Sequence, residues 1–146
     1  MNNLINEFLK CKKLAFVGLS RSKRKFGNTL YRELTKRGYT LYPLHRGEKE
    51  INGITCYPNL QSVQDDIEGV LINAAPKNVI PLLQEISALK IKNIWLQYGA
   101  ESREVYETAK NLGLDIITKN CILLHTEPVQ GIHKFHRILS RLLGKL

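Results

Sequence analysis

The chain has 146 residues, with 22 Lys and Arg against 13 Asp and Glu, a formal charge of +9, and 43% hydrophobic residues. That length supports one domain with a proper core, and no apolar run reaches the ~20 residues of a membrane span. The basic balance suits an anionic partner: a phosphorylated small molecule, a nucleic acid or a membrane surface.

In chain order, residues 2–12 read as a short amphipathic helix with Leu4, Ile5, Phe8 and Leu9 on one face. The opening MNNLINEFLKCKK has no cationic start followed by an apolar centre, so it is not a signal peptide. Leu14 to Leu19 is the first strand, an apolar run that stops at Gly18 as a buried parallel strand does. Ser20, Arg21, Ser22, Lys23, Arg24 and Lys25 follow, and Gly27 and Asn28 open a helix that runs to Lys36, with Asn28 as its N-cap. Tyr39 to Leu44 is the second strand, and Pro43 marks its end.

A loop-rich stretch comes next, with a turn at Asn52-Gly53, an extended piece at Ile54–Tyr57 and a helical turn or two at Leu60–Asp66. Gly69–Asn73 is the third strand, followed by a helix from Lys77 to Leu89 that carries Pro81 in its first turns. Asn93–Gln97, a helix over Glu101–Leu112, and Leu114–Thr118 complete the alternation. Residues 129–146 form a last helix with an apolar stripe, including Ile132, Phe135 and Leu139, opposite a basic face. That stripe suits packing on the chain's own sheet, on a second copy or on a partner protein.

Strands alternating with helices predict an α/β fold: a Rossmann-like, doubly wound parallel sheet of about five strands with helices on both faces. Residues 1–146 are read as one such domain with a helix added at each end. In these sheets ligands sit beyond the carboxyl ends of the strands, where strand order reverses. Five segments meet there: Gly18–Asn28, His45–Arg46, Asn73–Pro76, Gln97–Gly99 and Asn120–Cys121. Gly18 permits a sharp turn, and backbone N–H groups beside cations make an anion site, so the first loop is read as holding the phosphates of a nucleotide-like ligand.

The dinucleotide pattern G-x-G-x-x-G is kept only at Gly18, with Ser20 and Lys23 at the other glycine positions. After the second strand, where NAD sites carry an acid for the ribose, this chain has His45 and Arg46. A cation there suits a ribose phosphate, the 2′-phosphate of NADP or the 3′-phosphate of coenzyme A.

The stretches FVGLSRSKRKFGN, GYTLYPLHRG, INGITCYPNL, INAAPKNV, NIWLQYGAES and KNCILL cover residue 14 to about residue 124. In their order and spacing they resemble the small CoA-binding-domain family and the CoA-binding part of the succinyl-CoA synthetase alpha subunit. The resemblance implies a Rossmann-like sheet that binds CoA or an acyl-CoA. Gly18, Leu19, Ser20, Gly27 and Asn28 would then meet the pyrophosphate, with Arg21, Lys23 and Lys25 neutralising it. Arg46 would lie by the 3′-phosphate, and Ala74, Ala75 and Pro76 would line the adenine or the adjacent backbone. The turn holding Gln97 and Gly99 would aim N–H groups at the pantetheine end, while Glu101 or Ser102 caps the helix that follows. Many members carry proline in the first loop where this chain has Lys and Arg. The ligase's phosphorylated histidine lies in a later domain, so ligase activity is not carried over.

No acid–base cluster marks the crevice, so the reading is a cytoplasmic CoA-binding module without catalysis of its own. Its alternative is an NADP-dependent oxidoreductase-like nucleotide-binding protein. Nucleic-acid binding is disfavoured because the basic residues lack interleaved aromatics. Cys11, Cys56 and Cys121 show no CxxC spacing, which fits a reduced compartment, and Cys121 reads as a packing residue at a strand end. His125, His133 and His136 lack the spacing and co-ligands of a metal site.

Overall fold

In the computed structural model, residues 2–126 are described. The helix expected over residues 129–146 lies outside them, as do His133 and His136.

The main sheet is built from β1 (Lys13–Val17), β2 (Thr40–Pro43), β5 (Gly69–Ile72), β6 (Ile94–Gln97) and β7 (Ile116–Asn120). Its order is β2-β1-β5-β6-β7, and every neighbouring pair is parallel. The chain steps from β1 to one side, then returns to the other, so strand order reverses between β1 and β5. A two-stranded hairpin, β3 (Glu50–Ile51) with β4 (Ile54–Thr55), sits outside this sheet. Asn52 and Gly53 make its turn, both at positive φ, 50° and 83°. The mirror-image turn that tightens a hairpin needs that conformation, and Asn-Gly supplies it cheaply.

Alternation along each strand divides the core into two layers. Leu14, Phe16, Leu71, Trp95 and Ile117 face α1 (Asn2–Leu9) and α2 (Phe26–Lys36). Ala15, Val70, Ile72, Ile94 and Leu96 face α3 (Pro76–Ala88) and α4 (Arg103–Asn111). Both faces are covered, which is why the strands read as continuous apolar runs and not as alternating ones. Trp95 is fully buried, packed on Phe8 at 5.3 Å between ring centres, and donates its indole N–H to the Asn120 carbonyl at 3.1 Å. α1 therefore closes a sheet face.

Several expected boundaries move. The first main helix begins at Phe26, not Asn28, because Phe26 joins the core and the extended residue before the helix is Lys25 (φ −69°, ψ 140°). Asn28 is consequently inside the helix and is not its N-cap. The last strand ends at Asn120, two residues beyond the expected end. Leu60–Asp66 forms two successive turns, as expected, with the Val63 and Asp66 N–H groups donating to the Leu60 and Val63 carbonyls at 3.1 and 2.9 Å, and Leu60 and Val63 are buried in the core layer that α3 and α4 cover. The strand β3 was not foreseen, since a two-residue strand carries no periodicity to read.

Candidate functional site

All five anticipated segments follow the carboxyl ends of parallel strands, so they share one edge of the sheet. They do not share one kind of surface.

The loop between β1 and α2 is shaped from below by glycine and asparagine. A Cβ on Gly27 would lie 1.8 Å from the Gly18 carbonyl oxygen, so only glycine lets the helix start against the strand end. Gly18 has φ +146°, and its own Cβ would press on Asn73 at 3.0 Å. These two glycines bring β1, α2 and the end of β5 into contact. Asn28 is 6% exposed and clamps the loop above them. Its Oδ1 accepts the Ser20 N–H at 2.8 Å, and its Nδ2 donates to the Ser20 and Ser22 carbonyls at 2.7 and 3.0 Å. The sequence signal for this role was present, a lone polar residue on the buried face of the helix, but capping was the easier reading.

Ser20 also accepts the Ser22 N–H on its Oγ at 3.1 Å. Among the described residues, the N–H groups of Leu19, Arg21, Lys23 and Arg24 have no acceptor. Residues 21–25 are exposed. Arg21 forms an ion pair with Glu48, while Lys23, Arg24 and Lys25 take no ion-pair partner among the described residues. The loop thus presents open backbone donors and three unpaired cations.

Beside this loop lies a cleft of about 610 Å³, with Val17 at the end of β1 as its link to the loop. Leu44, Pro58, Pro81 and Leu82 give it apolar walls, and Asn59, Asn78 and Glu85 give it polar groups. His45 and Arg46 complete the lining. His45 Nδ1 accepts the N–H groups of Gly47 and Glu48 at 3.1 and 3.0 Å, which pins the turn after β2. The segment Tyr57–Asn59 reaches the cleft because Tyr57 pairs in a parallel bridge with Leu44, the residue after β2. Sequence reasoning placed Arg46 there. It missed Pro58, Asn59, Asn78, Pro81, Leu82 and Glu85, which arrive from a turn and from the body of α3. Ala74, Ala75 and Pro76 lead into α3, with Pro76 as its first residue, and are not part of this lining.

The other half of the edge is turned inward. Gln97 is 1% exposed, and its amide is taken by the chain itself. Its Nε2 donates to Cys121 Sγ at 3.3 Å, and its Oε1 accepts the Ile122 N–H at 2.8 Å. Gln97 therefore braces the turn after β7 and does not line the cleft. The Gly99 N–H is received by the Glu101 carboxylate at 3.2 Å, and Ser102 Oγ caps α4 by accepting the Val105 N–H at 3.1 Å. Burial pushes the Cys121 thiol above its ordinary pKa, with the Gln97 bond opposing, which suits packing and not nucleophilic attack.

A family model described as a CoA binding domain matches residues 12–127. The chain is 27% identical over 127 residues to the ADP-forming acetate–CoA ligase I of Archaeoglobus fulgidus, covering 80% of this chain but 18% of that one. It is 24% identical over 119 residues to an uncharacterised protein of Bacillus subtilis, covering 81% of this chain and 88% of that one. Among solved structures, a hypothetical protein from Pyrococcus horikoshii superposes with a TM-score of 0.75 at 28% identity, over 89% of this chain and 92% of its own.

Proposed function

Because the chain belongs to the CoA-binding-domain family, we infer that it binds coenzyme A or an acyl-CoA at the carboxyl edge between β1, β2 and α3. The observation that carries this reading is the cleft, apolar-walled and lined by Arg46, which Val17 joins to a loop whose N–H groups and cations are open among the described residues. A base fits apolar walls with a few polar groups, and phosphates fit exposed backbone donors flanked by Lys and Arg.

In this reading Gly18, Leu19, Gly27 and Asn28 form and hold the seat for the pyrophosphate. Leu19 and Arg21 supply backbone donors, while Ser20 and Asn28 keep the loop in shape. Lys23, Lys25 and the Arg21 side chain neutralise charge, and Arg46 takes the 3′-phosphate. The adenine enters the cleft between Leu44, Pro58 and Pro81, with Ala74, Ala75 and Pro76 beside the ribose and phosphates. Gln97 and Gly99 support the edge from the far side. The reading is of a binding module without catalysis of its own, and a small-molecule CoA as its partner.

Calorimetric titration with CoA, 3′-dephospho-CoA, NADP and NAD tests this. CoA is expected to bind more tightly than the other three. Binding of NADP in preference to CoA would move the reading to the oxidoreductase-like alternative. Binding of none would overturn it.

A further inference from the structure

Arg21 is the one loop cation given a pyrophosphate role above whose guanidinium is already engaged. Its partner, Glu48, lies between β2 and the hairpin, 27 residues along the chain. Both ends of this pair are anchored. Arg21 sits in the segment that Asn28 clamps, and its carbonyl accepts the Asn52 side-chain N–H at 3.4 Å. Glu48 sits in a turn pinned by His45, which accepts the Gly47 and Glu48 N–H groups on one ring nitrogen. The Glu48 side chain is 33% exposed and is two residues from Arg46 on the cleft rim.

We propose that Glu48 is a built-in competitor for phosphate: its carboxylate holds Arg21 against the turn that precedes the hairpin until a ligand phosphate takes its place. The proposal rests on the CoA reading and adds to it a regulation of the same site. While Arg21 Nη2 donates to Glu48 Oε1, that edge of the guanidinium is not free to pair bidentately with a phosphate. A phosphate with more charge than a carboxylate displaces Glu48, whereas a weakly charged anion does not. Lys23, Arg24 and Lys25, unpaired among the described residues, draw the anion in, and the Arg21–Glu48 pair sets the threshold it must pass. Displacement releases the loop from the turn before the hairpin, while the Asn52 side chain of the hairpin turn still donates to the Arg21 carbonyl.

The test is a double-mutant cycle at low salt, in which CoA is titrated into the wild type, Glu48→Gln, Arg21→Gln and the double variant. Glu48→Gln is expected to bind CoA about two- to fivefold more tightly, the range an exposed ion pair supports. That gain should vanish in the Arg21→Gln background. An equal gain in both backgrounds would mean that Glu48 acts only through its field on the ligand, and this overturns the proposal, as does no gain at all. If the wild type does not bind CoA, the CoA reading falls, and the same cycle is read with inorganic pyrophosphate. A normal cycle with pyrophosphate then keeps the competitor while discarding CoA. Binding of neither anion overturns both.

Discussion

The two halves of the carboxyl edge are built from similar-looking loops and behave oppositely. Around β1, β2 and α3, among the described residues, the N–H groups of Leu19, Arg21, Lys23 and Arg24 and the cations Lys23, Arg24 and Lys25 stay open, and a cleft of about 610 Å³ lies between the end of β1, the end of β2 and α3. Around β6 and β7, the polar groups are consumed by the chain: Gln97 by Cys121 and Ile122, Gly99 by Glu101, and Val105 by Ser102. A polar residue at a strand end is therefore a weak guide to binding. What distinguishes the halves is whether its hydrogen-bonding capacity is already met, because a buried amide must be satisfied by something and the nearest backbone serves.

The comparison breaks most sharply at the glycine contact under the first loop. Gly27→Ala places a methyl group against the Gly18 carbonyl and should cost about 3 kcal/mol or more, or prevent folding, as read by chemical denaturation. Asn28→Ala removes three hydrogen bonds and frees the Ser20 N–H and the Ser20 and Ser22 carbonyls that hold the loop in shape. It should cost about 2–3 kcal/mol and weaken CoA binding by about tenfold or more. Gln97→Ala should cost about 1–2 kcal/mol in the same denaturation experiment, for the loss of two buried hydrogen bonds, yet leave CoA affinity unchanged within about twofold. Asn28 and Gln97 are both buried amides that brace a loop, so their different effects on binding would separate the two halves directly. Arg46→Ala should leave stability alone, weaken CoA by about tenfold and leave 3′-dephospho-CoA untouched, measured by calorimetry.

The smallest effect belongs to the opposite edge of the sheet. Glu68 accepts the Lys12 and Lys13 N–H groups at 2.8 and 3.0 Å, which holds its carboxyl below the usual carboxylate range. Its contribution is present above the ordinary carboxylate pKa and is lost as pH falls through the lower folded value. Glu68→Gln should flatten that part of the acid limb in melting experiments and leave CoA binding as it was.

Much of this arrangement was legible in the sequence, for physical reasons that differ by element. The parallel sheet was readable because strands covered on both faces must be apolar throughout, as AFV, GVLI and IWL are. Gly18 and Arg46 were readable because a strand end fixes where they fall. The cleft was harder. Pro58 and Asn59 reach it through a bridge between Leu44 and Tyr57, and Pro81 and Glu85 reach it from one helix face, so neither set forms a local motif. Asn28 was misread as a cap because its position near a helix start is compatible with both roles, and only the start at Phe26 decides between them. The Arg21–Glu48 pair joins two loops 27 residues apart, across α2 and β2, so no local pattern announces it.

The most direct test of the division is to map backbone amide shifts on adding adenosine 3′,5′-bisphosphate, the nucleotide end of CoA without its pantetheine arm. The account predicts movement at Leu19, Arg21, Arg46, Asn59 and Asn78, with Gln97, Gly99 and Ile122 still. Movement centred on Gln97, Gly99 and Ile122, with the first loop and Arg46 still, would contradict it.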